Sequence, residues 1–122
     1  MDLNTYLYNI YIDYKLMKNL LKIINVDNQY IKYKIPSFRS EIYLIKWLPY
    51  SNTNFHSHNG KQCNYMLIKG NYLNEIRWKG DTSIKTFYKI KPLKIYSIND
   101  KCGLHRMSNT HNKVKWSLHK YY

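Results

Sequence analysis

The sequence contains few cysteines, few acidic residues and no long apolar run. Its two cysteines, Cys63 and Cys102, cannot form the disulfide framework of a small secreted domain. No stretch approaches the ~18 consecutive apolar residues of a membrane-spanning helix. The first residues also lack the basic segment and apolar stretch of a signal peptide. We therefore expect a cytoplasmic protein that does not interact with a membrane.

The shortage of acidic residues makes the chain strongly basic. Seven Asp and Glu residues stand against 20 Lys and Arg, which gives a formal net charge of +13. Phosphate neutralisation drives binding to nucleic acids, so this charge admits a nucleic-acid-binding domain. The lysines are scattered, however, with the densest cluster at 85–94, and basicity alone is weak support for such a function. Nucleic-acid binding is therefore only a third interpretation, and the charge could equally attract an anionic substrate.

Glycine and proline are also scarce, and no linker divides the 122 residues, so we expect one domain, 1–122. Asp13 can cap a helix whose apolar residues recur at helical spacing through Ile24, with 25–28 ending it. We therefore predict that 1–29 is a helical segment packed on a barrel formed by 30–122. The predicted strands cover 41–48, 54–58, 63–69, 72–79, 85–90, 93–98, 103–108 and 113–121. This pattern is typical of a mainly-β protein, a β-barrel or jelly roll, with one or two short N-terminal helices.

Three histidines carry the strongest functional signal. His56 and His58 alternate within a predicted strand, so both imidazoles project from one face. His105, on a distant strand, can complete a set of three ligands that leaves coordination positions open, as in catalytic metal sites. Such a set fits Fe, Zn, Ni or Cu. A histidine exposed on a strand is the alternative for each, and we keep that interpretation for His111, which lies in a polar turn.

A second alternating array ends the chain. Ser117, His119 and Tyr121 share one strand face. Burying a hydroxyl, an imidazole and a phenol without partners is costly, so either they form a hydrogen-bond relay or the face is solvated. We favour the relay, in which His119 orients Tyr121 beside the metal.

The spacing of these residues resembles the two motifs of the cupin superfamily. His56-x-His58, four residues, Cys63, six residues and Gly70 is similar to the first motif, and His105-x-x-x-Asn109 to the end of the second. Over 30–121 the chain most closely resembles the animal-type cysteine dioxygenases, a thiol dioxygenase family. The further elements that carry this resemblance are Leu67-x-x-Gly70-Asn71, the stretch 98–106 and Ser117-Leu118-His119-x-Tyr121.

The resemblance implies a cupin jelly-roll barrel with a site for one Fe(II) per chain. Its ligands would be His56, His58 and His105. Cys63 would form a thioether cross-link with Tyr121, and Ser117 and His119 would form the relay to that tyrosine. In the segment Tyr30-Ile31-Lys32, Lys32 stands where the family has an arginine that binds the substrate carboxylate. Cys102 has no counterpart in the pattern and is expected to be structural.

The expected function is thus that of a monomeric dioxygenase that oxidises L-cysteine with O2 to cysteine sulfinate, a defined step of thiol oxidation. Mercaptopropionate and cysteamine are less favoured substrates. The main alternative is a metal-binding cupin whose thiol dioxygenase activity is altered or lost.

Overall fold

Nine antiparallel strands account for most of the chain that the computed structural model describes, which is residue 4 and residues 22–27, 30–37 and 40–122. In chain order the strands are β1 (Lys22–Asp27), β2 (Tyr30–Ile35), β3 (Glu41–Trp47), β4 (Cys63–Lys69), β5 (Leu73–Trp78), β6 (Lys85–Ile90), β7 (Ile95–Ile98), β8 (Leu104–Ser108) and β9 (Lys115–Tyr121). A 3-10 turn, Asp100–Cys102, precedes β8. This composition confirms the mainly-β prediction. Within the described ranges, no helix is long and apolar enough to cross a membrane.

The strands form two sheets that enclose the main core, and a second small cluster, Leu44, Met66 and Leu118, lies on the opposite face of the larger sheet. The larger sheet has the order β1-β2-β3-β9-β4-β7, and the smaller has the order β6-β5-β8. The main apolar cluster draws buried side chains from both sheets, so the sheets pack face to face. Its members are Ile45, Trp47, Cys63, Tyr65, Leu67, Leu73, Ile90, Ile98 and Met107.

Seven of the eight predicted strands are present, with bounds that differ by at most two residues. The predicted strand at 54–58 is wrong. That segment makes only an isolated antiparallel bridge between His56 and His105, and positive φ angles at Asn59 and Gly60 turn the chain away directly afterwards. The bridge nevertheless has two backbone hydrogen bonds, of 3.0 and 3.1 Å, which hold the His56 segment against β8.

The predicted N-terminal helix is wrong over its last residues. It was expected to continue through Ile24 and to end at 25–28, whereas Lys22–Asp27 is β1, paired antiparallel with β2. This short stretch contains Ile23, Ile24 and Val26, whose branched side chains favour a strand once a partner strand is available. The rest of the predicted helix, 13–21, lies outside the described residues, and the packing of 1–29 on the barrel stays a prediction.

The start of β8 approaches β5 closely at Gly103. Gly103 has φ +93°, and a Cβ built there would lie 2.5 Å from the carbonyl oxygen of Trp78. Only glycine permits both this conformation and this contact. At the other end of the strand, the buried amide of Asn109 donates to the carbonyl groups of Trp47, Leu48 and Lys113. Both ends of β8 are therefore fixed, and His105 lies between them.

Candidate metal centre

The three histidines predicted as ligands lie together. One ring nitrogen from each of His56, His58 and His105 falls within a group whose members are all within 4.8 Å of one another. His56 and His58 come from the loop before β4, and His105 from β8. The backbone bridge between His56 and His105 brings these two parts of the chain into register.

The hydrogen bonds of two of these rings define where their lone pairs point. Nδ1 of His56 lies 2.9 Å from the carbonyl oxygen of Asn54, and Nδ1 of His105 lies 2.8 Å from Oε2 of Glu75. Both partners are acceptors, so Nδ1 of each ring donates, and Nε2 is the ring atom available to a metal. The two Nε2 atoms are 3.0 Å apart. This is hydrogen-bonding distance, and a shared cation would replace the contact with coordination by both nitrogens.

His58 supports the same conclusion independently. Its side chain is 3% exposed, and neither ring nitrogen has a hydrogen-bond partner among the described residues. A buried polar group left unpaired costs roughly 1–3 kcal/mol. Burial, together with the neighbouring His105 and His56, lowers the pKa of His58 to about 4, so the ring is neutral and able to act as a ligand. The loop that carries it is fixed by Asp100, whose carboxylate accepts hydrogen bonds from the backbone N–H groups of His58 and Gly60.

Glu75 is a site residue that the sequence reasoning missed. Its carboxylate is 1% exposed, contacts Nδ1 of His105, and also accepts hydrogen bonds from the Tyr65 hydroxyl and from Nε of Arg77. Burial opposes its ionisation, but these hydrogen bonds prevail and hold the pKa of Glu75 below its usual value. The sequence does contain a signal for Glu75. It lies two positions after Leu73, so both side chains project from the same face of β5, which is the core face.

Three imidazoles with converging nitrogens can hold a divalent metal ion. A closed structural site would have four protein ligands, whereas three leave positions for other molecules. Among the described residues this is the one cluster of three or more such side chains. Cys63 lies outside it: the side chain is fully buried and contacts Tyr121. The donor set fits Fe, Zn, Ni or Cu, and the geometry does not select among them.

A cavity of about 410 Å³ opens onto the three histidines. Lys32, His119 and Tyr121, three of the other predicted site residues, also line it. The ammonium group of Lys32 lies 4.2 Å from the centre of the Tyr43 ring and 5.5 Å from that of Tyr121. Burial lowers the pKa of Lys32, although Cys63 and Glu41 oppose this effect. The cavity thus combines a cluster of nitrogen ligands with one partly buried cation.

The polar face of β9 forms a buried chain of contacts. Nε1 of Trp47 donates to Oγ of Ser117, which lies 2.7 Å from Nε2 of His119. Because Ser117 already accepts from Trp47, its hydroxyl proton is free to donate to His119. Burial lowers the pKa of His119 well below its usual value, so the ring is neutral. Trp47 is the member of this chain that sequence reasoning did not identify.

Cys63 lies between His119 and Tyr121, and the relay from His119 to Tyr121 stays a prediction. Nδ1 of His119 lies 4.0 Å from Sγ of Cys63, and the Cys63 thiol interacts with the Tyr121 hydroxyl. Cys63 and Tyr121 are directly opposite each other in the pairing of β4 with β9. Burial raises the pKa of Cys63 to about 12 and also raises that of Tyr121, so both groups are protonated.

Two further predictions concern residues outside the cluster. His111 was interpreted as an exposed histidine in a polar turn, whereas it is partly buried. Its ring nitrogens contact the Lys115 ammonium group at 2.7 Å and the Tyr72 hydroxyl at 3.1 Å. Cys102, expected to be structural, lies in the 3-10 turn with Sγ 3.8 Å from Oδ1 of Asn99.

The sequence matches no family model and no curated protein. Solved structures with the same fold include the cupin domain of Drosophila melanogaster CENP-C, with 13% identity, a TM-score of 0.65, and coverage of 85% of this chain and 77% of that one. An oxalate oxidase in complex with glycolate has 14% identity and a TM-score of 0.63, and the alignment covers 82% of this chain and 55% of that enzyme. The cupin domain of Schizosaccharomyces pombe Cnp3 has 5% identity and a TM-score of 0.61, with coverage of 82% and 62%. These likenesses confirm the predicted cupin fold, and at such identities they show the fold alone.

The contact between Glu75 and His105 yields a testable consequence. We expect Glu75→Gln to weaken binding of Fe(II) or Zn(II) about 10- to 100-fold, because the carboxylate holds the ring orientation and the tautomer of His105. Anaerobic calorimetric titration with each metal measures this change. Asp81→Asn is the matched control, since it removes an exposed carboxylate that lies in the turn before β6. Equal affinity in the Glu75→Gln variant and the native protein would show that Glu75 does not support the ligand.

Proposed function

We propose that the protein is a non-haem Fe(II) thiol dioxygenase that converts L-cysteine and O2 into cysteine sulfinate. The observation that carries the proposal is the convergence of ring nitrogens from His56, His58 and His105, of which the buried His58 ring has no hydrogen-bond partner among the described residues. The point of convergence borders a cavity that also contains Lys32 and Tyr121. These groups suit a thiol amino acid and O2. A metal would bind the thiol and O2, Lys32 would bind the carboxylate, and Tyr121 would donate a hydrogen bond.

Held by His56, His58 and His105, Fe(II) would supply a full double positive charge that favours the thiolate form of the substrate and a place where it meets O2. The overall reaction is balanced without an external reductant, because RSH and O2 together give RSO2H. The protein provides the ligand set, the binding of the substrate carboxylate and a hydrogen-bond donor.

Lys32 is assigned to the substrate carboxylate. It is the cation that projects from β2 into the cavity, and its partial burial reduces the competition from water. Lysine offers a point charge rather than the paired donors of arginine, so it attracts a carboxylate with less geometric control.

Tyr121 is assigned as the hydrogen-bond donor. Its ring lies 5.9 Å from that of His58, at the wall of the cavity. Burial raises the pKa of Tyr121, which keeps the phenol protonated and therefore able to donate to the substrate or its oxidised product. Ser117 and His119 position this group through Cys63.

The facing pair of Cys63 and Tyr121 supports a thioether between them. The bond would form between Sγ and the ring carbon beside the hydroxyl, with loss of the thiol hydrogen and of one ring hydrogen. Dioxygen is the oxidant that takes up the electrons and protons. An ordinary buried thiol in a strand is the alternative, and the register with Tyr121 favours the cross-link.

A metal-binding cupin without thiol dioxygenase activity is the second candidate. The observation in its favour is Lys32, which lacks the forked geometry of the family arginine and could leave the substrate poorly oriented. Retention of iron without oxygen uptake on any thiol would favour this candidate.

The reaction itself is tested by metal analysis together with a panel of thiols under air. We expect the native protein to retain iron, to consume O2 on addition of L-cysteine and to release the sulfinate. His105→Ala should abolish both iron retention and turnover, because it removes one of three ligands. His111→Gln, a histidine outside the cluster, should leave both unchanged. Unchanged turnover in His105→Ala would rule out the assigned site.

The role of Lys32 predicts a difference between substrates. Lys32→Ala should raise KM for carboxylated thiols such as cysteine and mercaptopropionate while barely affecting cysteamine, which has no carboxylate. Lys34→Ala is the control, since Lys34 is an exposed lysine on the same strand. Steady-state oxygen uptake with the three thiols gives the comparison. An equal rise in KM for all three would remove Lys32 from carboxylate binding.

The proposed thioether predicts two bands on a reducing denaturing gel. The cross-linked chain is internally constrained and migrates differently from the linear one. Cys63→Ser should remove the second band, and Cys102→Ser should retain it. Peptide mass spectrometry of the native protein should show 63 and 121 joined with loss of two hydrogens. A single band together with separate, unmodified peptides after turnover would refute the cross-link.

A further inference from the structure

The face of the smaller sheet that points away from the core forms a second surface. In the central cross-strand row, Phe87 lies opposite Ile76, and Ile76 opposite Arg106. The rows on either side place Lys85 opposite Trp78 and Lys89 opposite Asn74. We call these residues, Lys85, Phe87, Lys89, Ile76, Trp78 and Arg106, the outer sheet face. The opposite face of the same strands contributes the buried Leu73, Glu75, Ile90, His105 and Met107.

The outer sheet face exposes aromatic surface. Phe87 is 70% exposed, in the middle of β6, which is the edge strand of its sheet. Trp78 is half-buried beside it, and its ring contacts the ring of Phe55 with centroids 5.6 Å apart. Lys85 reaches across this pair, with its ammonium group 5.5 Å from the Trp78 centroid and 5.6 Å from that of Phe55. An exposed phenylalanine beside a tryptophan and a cation is a surface suited to stacking.

The charge around these rings is almost entirely positive. Lys85 and Lys89 are exposed on β6, and Arg106 is partly exposed on β8. On these three strands the only acidic residue is Glu75, which is buried on the opposite face. Asp81, in the turn between β5 and β6, is the nearest exposed carboxylate along the chain. With a net charge of +13 over the whole sequence, this face attracts polyanions and repels a second copy of itself.

We propose that the outer sheet face binds single-stranded nucleic acid, in addition to the function assigned to the cavity. Bases stack on Phe87 and Trp78, while Lys85, Lys89 and Arg106 contact the phosphates between them. Sheet surfaces that expose aromatic side chains among cations bind single strands in this manner, because unpaired bases offer free π-faces. A duplex keeps its bases stacked internally, so it could use only the cations of this face. The proposal is independent of the metal site, since the outer sheet face and the cavity lie on opposite sides of the smaller sheet.

Binding is tested with the full chain and fluorescently labelled 20-mers of oligo-dT and oligo-U, with a duplex of the same length as the third probe. Fluorescence anisotropy at several salt concentrations gives the Kd for each. We expect both single strands to bind more tightly than the duplex, with an affinity that falls as salt rises. Comparing the Kd for oligo-dT with that for oligo-U shows whether the outer sheet face prefers DNA or RNA.

Phe87→Ala separates stacking from charge. Because Phe87 is exposed, its replacement should leave the melting temperature almost unchanged while raising Kd for single strands about 5- to 100-fold. Lys89→Gln should raise Kd less and reduce the salt dependence. Tyr50→Ala and Lys69→Gln are the matched controls, as they alter an exposed aromatic residue and an exposed lysine outside the smaller sheet. Both controls should bind like the native protein.

Several outcomes would overturn the proposal. Equal binding of Phe87→Ala and native protein, or equal affinity for duplex and single strands, would mean that charge alone acts. Phe87-dependent binding to vesicles of phosphatidylserine and phosphatidylcholine, without nucleic-acid binding, would assign the face to a membrane surface. A Phe87-dependent dimer in sedimentation, again without nucleic-acid binding, would assign it to a second copy of the chain.

Discussion

The candidate site depends on the backbone bridge between His56 and His105. Two hydrogen bonds hold a loop against β8 where no regular strand forms. The bridge places the His56 imidazole beside that of a residue 49 positions later, and a second bridge from Asn52 to Ser108 and the Asp100 carboxylate hold the same loop on either side. The close approach of Gly103 to Trp78 and the amide contacts of Asn109 fix β8 itself. Backbone contacts therefore set the geometry of the ligands before any metal binds.

Electrostatics then determines the state of those ligands. A single buried carboxylate, Glu75, orients His105 from behind, and the Asn54 carbonyl does the same for His56. The Nε2 atoms of both rings then face each other at 3.0 Å, and the His58 ring has no hydrogen-bond partner among the described residues. In a chain with so few acidic residues, Glu75 is the negative charge that touches the cluster. The three ligand rings thus lie where water screens electrostatic interactions less than it does at the surface.

The same barrel separates two chemistries on opposite faces of its smaller sheet. The inner face carries His105 and Glu75, and it meets the cavity that contains Lys32 and Tyr121. The outer face carries exposed aromatic and basic residues. Alternation along β5, β6 and β8 is sufficient to divide them, because neighbouring side chains of a strand project to opposite faces.

The sequence by itself determined the mainly-β class, seven strands with nearly correct bounds, and the three histidines as a group. The class and the strands follow from period-2 patterning, a local property of the chain. The grouping of His105 with His56 and His58 follows from the resemblance to the two cupin motifs. Tertiary structure alone decided which distant groups meet. Glu75 behind His105, Trp47 behind Ser117, and Cys63 between His119 and Tyr121 depend on strand order and register, which local patterns do not specify. It also decided that Lys22–Asp27 is a strand, because pairing with β2 outweighs helical spacing in so short a segment.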